Sequence, residues 1–274
     1  SLKLMKYKSI NPTNKKLLAE YESTGKDSIS EIVIASKNSF LKWSEYSLIK
    51  RLEILNNLLD KLELNKASIV NQIVTEIGKP ISQATKEVEK SLSYFKYYLA
   101  NAEKYLNDEI TFEDEYQIDI VKYQPKGVAA VILPWNYPFM LFIWMVIPNL
   151  IAGNVVILKH SEKSLSIAKT LDNILNTVLP DRVFQIIIGG AEEGKYLVNE
   201  DIDLICFTGS TKTGQYLYET ASKKMINVVL EMGGSNPAIV FSDFDINKAV
   251  DNIIEKRFSN NGQYCNAVKR VLVS

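Results

Sequence analysis

Along the first hundred residues the apolar positions recur at helical spacing, and from Ser28 three helices are predicted, near 28–43, 46–76 and 82–106. In the second, Leu48, Leu52, Leu55, Leu59 and Leu62 step by four and three, and Gly78 with Pro80 ends it. The third repeats the step through Val88, Leu92, Phe95, Leu99, Ala102 and Leu106. Neither stripe reaches the heptad count of a coiled coil, so both fit packing against a neighbouring sheet. Residues 1–27 read as an N-terminal arm with a short strand and turn signals at Asn11-Pro12 and Gly25. Between 109 and 124 the period changes to two. Ile110, Phe112, Ile118, Ile120 and Tyr123 alternate with polar residues around the acidic turn Glu113-Asp114-Glu115, the pattern of a β-hairpin.

From Gly127 onward, continuous apolar runs alternate with helical stretches. Strands are predicted at 128–133, 155–158, 183–188, 204–207 and 228–230, with helices near 139–151, 163–178, 191–199 and 211–222. Runs rich in β-branched residues suit a parallel sheet covered on both faces, so the fold class is α/β with a Rossmann-type layer. Ligands of such sheets bind beyond the carboxyl ends of the strands. After Glu231 a second α/β unit begins, with a strand at 237–241, a helix at 246–258, and then a turn containing Cys265.

Composition narrows the function classes. The 274 residues carry 32 basic and 32 acidic side chains, so no global field recruits nucleic acid or an anionic membrane. Two cysteines make no disulfide framework and point to a reducing compartment. The N-terminal Ser1-Leu2-Lys3-Leu4-Met5-Lys6 interleaves lysines with apolar residues, unlike a signal peptide. The longest apolar run, 139–152, is too short to span a bilayer and is interrupted by Pro148 and Asn149. These features lead us to expect a cytoplasmic protein without nucleic-acid or membrane partners.

Candidate chemistry centres on Cys265, within Asn260-Asn261-Gly262-Gln263-Tyr264-Cys265-Asn266-Ala267. A thiol attacks as its thiolate and needs donors or a helix N-terminus nearby, whereas an isolated cysteine is more often a buried small hydrophobe. Cys206, inside Asp203-Leu204-Ile205-Cys206-Phe207, reads as such a core residue. The loop Gly189-Gly190-Ala191-Glu192-Glu193-Gly194-Lys195-Tyr196 resembles a P-loop, but Tyr196 stands where a magnesium-holding hydroxyl belongs, and no Gly-x-Gly-x-x-Gly occurs. The sole histidine, His160, completes no triad and reads as a surface or packing residue, and no cluster has metal-ligand spacing.

Four further segments stand upstream of the cysteine turn: Pro134-Trp135-Asn136-Tyr137-Pro138, Leu158-Lys159-His160-Ser161-Glu162, Phe207-Thr208-Gly209-Ser210 and Glu231-Met232-Gly233-Gly234-Ser235-Asn236-Pro237. In this order they resemble the motifs of the aldehyde dehydrogenase superfamily, from about Asn11 to the last residue. The Lys-His pair, Gly-Gly-Ser-Asn-Pro and Ala-Val-Lys-Arg are similar to the short succinate-semialdehyde dehydrogenase branch. The resemblance implies NAD(P)-dependent oxidation of an aldehyde to an acid. Cys265 would attack the aldehyde. Asn136 and the Cys265 backbone N–H would stabilise the oxyanion. After hydride transfer, a water activated by Glu231, expected in a partly buried place, would hydrolyse the thioester. Cofactor contacts would come from Pro134, Trp135, Lys159, Glu162, Gly209, Ser210 and Gly233. A carboxylate at Glu162 accepts ribose hydroxyls and repels a 2′-phosphate, favouring NAD over NADP.

Tyr137, Leu141, Trp144 and Tyr264 would line the substrate tunnel. Trp144 stands where the branch usually carries a carboxylate-binding arginine, so the pocket suits a neutral aldehyde such as glyceraldehyde as well as a semialdehyde. The hairpin would pair subunits into a homo-oligomer, a dimer or tetramer. The implied segments are 1–108, arm and helices packed on the cofactor domain; 109–125, the oligomerising hairpin; 126–232, the NAD-binding domain; and 233–274, the start of a catalytic domain. Nine residues follow Cys265, fewer than the family's pattern, so a truncated chain acting only as a cofactor-binding or oligomerising module is the alternative reading.

Overall fold

The computed structural model describes residues 4–274; Ser1, Leu2 and Lys3 of the N-terminal arm lie outside the described residues. The arm is a hairpin of two strands, β1 (Lys6–Ile10) and β2 (Leu17–Glu22), where the sequence suggests one. A helical layer follows: α1 (Lys26–Trp43), α2 (Leu48–Leu64), α3 (Lys66–Gln72) and α4 (Ile81–Leu106). The predicted helix 46–76 is thus divided. Asn65 ends α2 with its amide on the Lys61 carbonyl, and a wider turn over Ile73–Ile77 closes on Gly78 at φ 78°. The apolar step runs through this break, which is why spacing alone does not reveal it. The predicted second hairpin forms as β3 (Glu109–Glu113) and β4 (Ile118–Val121), antiparallel and with every residue exposed.

The remaining chain alternates β5 (Val128–Leu133), α5 (Pro138–Ile151), β6 (Val155–His160), α6 (Leu165–Leu175), β7 (Phe184–Ile187), α7 (Ala191–Asn199), β8 (Leu204–Gly209), α8 (Thr211–Lys224) and β9 (Asn227–Met232). The five strands form one parallel sheet in the order β7-β6-β5-β8-β9. Every residue of β6 is buried, as expected for a central strand with helices on both faces. The strand order reverses direction at β5, so the crevice beyond the carboxyl ends of β5 and β8 is a topological switch point.

A second, smaller unit follows with β10 (Asn236–Val240), α9 (Ile246–Phe258), a short 3-10 turn (Ser259–Gly262) and β11 (Val268–Val273). β10 and β11 pair in parallel around α9, a right-sized βαβ unit whose second strand the sequence reading does not anticipate. No described helix is long and apolar enough to cross a membrane.

Candidate active site

Each helix that follows a sheet strand begins at the ligand edge, and its first N–H groups are an anion-binding end. Three of these ends already hold a carboxylate from this chain. Glu87, on α4, accepts the backbone N–H groups of Phe139 and Met140 at 3.1 and 3.2 Å, capping α5. Glu76 accepts those of Ser166 and Ile167 at 2.8 and 3.0 Å, capping α6, and also the Ser9 hydroxyl of β1 at 2.6 Å. Glu193 sits at the start of α7 with the Gly190 N–H on its carboxylate at 2.8 Å. Only α8 among the four begins with a neutral cap, the Ser210 hydroxyl accepting from Thr213 N–H at 3.3 Å. That exposed end, with a buried Thr208 hydroxyl beside it that has no hydrogen-bond partner, is open to an anionic group. Gly209 is required there by close approach, since a Cβ would lie 2.4 Å from the Phe207 ring.

Beyond β5 the chain turns at Pro134-Trp135-Asn136-Tyr137, and this turn is held from the helical layer. Lys79 Nζ donates to the Asn136 carbonyl at 2.8 Å, stands 3.5 Å from the centre of the Tyr137 ring, and pairs with Glu87 where both side chains are fully buried. Burial lowers the Lys79 ammonium and raises the Glu87 carboxyl from their ordinary values, each partly opposed by the other's charge. The cysteine turn meets the same point. Asn136 Nδ2 donates to the Gln263 carbonyl at 2.8 Å, and Asn260 Nδ2 donates back to the Asn136 carbonyl at 3.1 Å. Asn260 N–H donates to Gln83 Oε1 of α4 at 2.8 Å, and Asn236 Nδ2 to the Cys265 carbonyl at 2.6 Å. Three successive residues, Asn260, Asn261 and Gly262, adopt positive φ, a conformation that asparagine and glycine tolerate best. They turn the chain sharply and leave Cys265 exposed.

The Gln263 contact orients the Asn136 amide without exhausting it, because an NH₂ group carries two donors and only one is engaged. Its Oδ1 is buried without a partner. The Tyr137 and Tyr264 rings meet edge to face at 6.2 Å, so two of the tunnel residues are brought together. Trp144 instead packs against Tyr94 of α4 at 5.7 Å, and Leu141 is buried in the core. Glu231 lies opposite Thr208 in the sheet register, at the ligand edge. It is exposed, which corrects the expected partial burial: β9 is the edge strand, with no neighbouring strand on its outer side. Gly233 follows in open space.

At the end of β6, Lys159 is buried, with the Glu162 carboxylate at 4.0 Å, and burial lowers its pKa against the pull of Glu162 and Glu193. His160 is 1% exposed, so the packing reading holds and the surface reading does not. Its Nε2 meets the Pro138 carbonyl at 3.1 Å, while Nδ1 lies 2.7 Å from the Ser164 hydroxyl and accepts from Ser161 N–H at 3.1 Å. Burial holds its pKa down to about 4. Cys206 is buried in β8 as expected, its thiol pushed up by burial. No group of three metal-ligating side chains occurs among the described residues.

Lys79, Gln83, Glu87 and Asn260 are the site residues the sequence reading misses. One signal was present: Glu87 interrupts the apolar stripe of α4 on its buried face, between Ala84 and Val88. A carboxylate there demands a buried partner.

The arrangement fits a dinucleotide: one free helix N-terminus after β8, an unpartnered buried hydroxyl beside it, and a buried lysine at the end of β6, on the other side of β5. Comparisons agree. The chain is 30% identical to a D-glyceraldehyde dehydrogenase (NADP(+)) of Thermoplasma acidophilum over 267 residues, 96% of this chain and 54% of that protein. It is 31% identical to a probable succinate-semialdehyde dehydrogenase [NADP(+)] of Synechocystis, covering 97% of this chain and 59% of the relative. The crystal structure of an aldehyde dehydrogenase from Bartonella henselae superposes with a TM-score of 0.94 at 30% identity, over all of this chain and 58% of that one. PnpE in complex with nicotinamide adenine dinucleotide superposes at 0.92 and 28% identity, over 98% of this chain and 56% of that one. The chain thus spans somewhat more than half the length of these relatives. The model of the aldehyde dehydrogenase family matches residues 3–274, and the chain belongs to that family.

Proposed function

We propose that this chain carries the cofactor site and the nucleophile of an NAD(P)-dependent aldehyde dehydrogenase. The observation that supports this most is the joining of the Asn136 turn to the cysteine turn through Gln263 and Asn260, with one Asn136 N–H left unengaged. The Cys265 thiolate attacks the aldehyde carbon, and the remaining Asn136 N–H with the Cys265 backbone N–H receives the charge that develops on oxygen. Pro134, Trp135, Lys159, Glu162, Gly209, Ser210 and Gly233 would hold the cofactor, with the free α8 N-terminus offering N–H groups to an anionic group. When bound, NAD(P) supplies the two-electron acceptor for the aldehyde hydrogen. Glu231, at the ligand edge beside β8, takes a proton from the water that cleaves the Cys265 thioester and frees the thiol.

For the substrate we favour a small neutral aldehyde such as glyceraldehyde over a semialdehyde. Trp144 offers no charge to a carboxylate, and relatives named for glyceraldehyde and for succinate semialdehyde are equally similar. The exposed Ile110, Phe112, Ile118 and Ile120 of the β3–β4 hairpin support a homo-oligomer. Nucleic-acid and membrane partners have no support, and a cytoplasmic location fits. A second reading, a cofactor-binding or oligomerising module without turnover, is favoured by one observation: Glu231 is exposed and lacks the enclosure a general base uses.

A steady-state assay of the purified chain with NAD and NADP against glyceraldehyde, succinic semialdehyde and an aliphatic aldehyde separates the two. Turnover that disappears in Cys265→Ala supports the enzyme and ranks the substrates. Cofactor binding without turnover supports the module.

A further inference from the structure

Four titratable groups from three separate elements converge at the end of β6. Lys159 is the one cation of the four, and it is buried. Glu162 stands at 4.0 Å, on the loop leading to α6. Glu193, itself 5% exposed, comes from α7, and the Lys159 stem passes beside Gly194, the next residue of that helix. Tyr7, on β1 of the N-terminal hairpin, donates its hydroxyl to Glu193 Oε2 at 3.1 Å, the same oxygen that accepts Gly190 N–H at 2.8 Å. The Tyr7 ring lies against Gly190, where a Cβ would come 2.9 Å from the hydroxyl oxygen. Burial and the Glu193 charge raise the Tyr7 pKa, with a smaller effect from Glu162, and the Lys159 pKa responds to Glu162 and then Glu193.

The end of the second strand of a βαβ unit is where a nucleotide's ribose 2′ position is read, a carboxylate accepting the hydroxyl and a cation accommodating a phosphate. Lys159 alone would welcome a phosphate. It has two carboxylates around it, and one of them is fixed. Glu193 cannot swing away, because the N-terminal hairpin and the α7 backbone each hold its Oε2, and Gly189 packs against its stem.

We propose that Glu193, clamped by Tyr7 and Gly190, is a specificity-determining residue that sets the chain against a 2′-phosphate at Lys159 and so selects NAD over NADP. Glu193 lies beyond ion-pair distance of Lys159 but is itself buried, and in a poorly solvated place like charges repel over longer distances. Its carboxylate also accepts the N–H of Gly190, the residue that opens α7, and so places a negative charge at the anion-binding end of that helix. The N-terminal hairpin thereby takes part in cofactor choice, although β1 and β2 belong to a separate sheet. This inference rests on the reading of the chain as a dinucleotide binder.

The test is equilibrium binding of NAD and of NADP by titration calorimetry, on the wild-type chain and on Glu193→Gln, Glu193→Val and Tyr7→Phe, with thermal melts to show that each variant is folded. Glu193→Gln keeps an acceptor for both N–H and O–H while removing the charge, so folding is retained. The wild type is expected to bind NAD about tenfold more tightly than NADP or better, and Glu193→Gln to move that ratio toward NADP by about tenfold. Tyr7→Phe, which frees the carboxylate to move, shifts the ratio the same way by a few-fold. An NAD/NADP ratio unchanged in both Glu193 variants, or a wild type that prefers NADP, overturns the proposal while leaving the dinucleotide reading standing. A wild type that binds neither cofactor overturns both.

Discussion

The two cysteines mark two regions built on opposite terms. Cys206 lies in a five-stranded parallel sheet whose central strands are buried along almost their whole length. Cys265 lies in the connection between the two strands of a smaller parallel sheet, in which Ile239 is 60% and Val273 71% exposed. Parallel strands are ordinarily covered on both faces, and the larger sheet receives that cover from its own helices. The smaller one has α9 alone. Within the cysteine turn only Asn260 and Ala267 are buried, and Cys265 is exposed. The turn's place is set by hydrogen bonds with three side chains, Gln83 of α4, which accepts from Asn260 N–H, and Asn136 of the β5–α5 turn and Asn236 of β10, which donate to the Gln263 and Cys265 carbonyls. A scaffold held by packing carries a site held by polar contacts.

The largest expected difference between the regions is chemical. Iodoacetamide should label Cys265 in the native chain while Cys206 waits for unfolding, a rate ratio on the order of a thousandfold or more for a domain of ordinary stability. Peptide mass spectrometry of a labelling time course reads it directly, and comparable rates would dissolve the contrast. Next comes charge. Lys79→Met strands Glu87 in the core and should cost about 3–5 kcal/mol in chemical denaturation. Lys269→Met removes only the exposed contact to the Gly234 carbonyl and should stay within about 0.5 kcal/mol.

A pH series sharpens the point. His160 has a folded pKa of about 4 against an ordinary 6.5, so between these values the unfolded chain binds more protons than the folded one. Stability contributed by neutral His160 is complete above pH 6.5 and falls as the pH drops toward 4, by about 3 kcal/mol in all. Urea midpoints at pH 7 and pH 4.5 for the wild type and His160→Gln test this: the variant should lose that part of the slope, and equal slopes would refute it. The smallest effect compares two methyl groups. Ile157→Val, in the middle of β6, should cost about 1 kcal/mol, and Ile239→Val, on β10, less than about 0.5.

Much of the sheet can be read from sequence because its strands are continuous apolar runs bounded by glycine and polar turns, and the helix 246–258 has the bounds its apolar positions suggest. Lys159 and His160 escape that rule. They look like the polar end of a strand, yet both are buried at the end of β6: His160 meets the Pro138 carbonyl at the start of α5, and Lys159 has the Glu162 carboxylate at 4.0 Å. Of the candidate site, Asn136, Cys265 and Tyr264 are legible from local motifs, and the structure brings their turns together. What holds them is not legible: Lys79 and Glu87 signal only as charges where apolar residues belong, and their meaning depends on a helix terminus about fifty residues later. Glu231 shows the reverse failure, a strand-end carboxylate whose apolar neighbours suggest cover that an edge strand does not have.

The strand order has a consequence for synthesis. β5 is made before either of its neighbours, and its partner on one side, β6, follows closely, while its partner on the other, β8, appears only after β7 and α7. A chain leaving the ribosome thus passes through a stage with the central strand as an open edge, apolar on both faces and ready to pair with any strand that reaches it. Of the N-terminal helices, α1, already complete by then, packs across β5, β6 and β7, so the part of the chain made first covers one face of the forming sheet while its edge waits for β8.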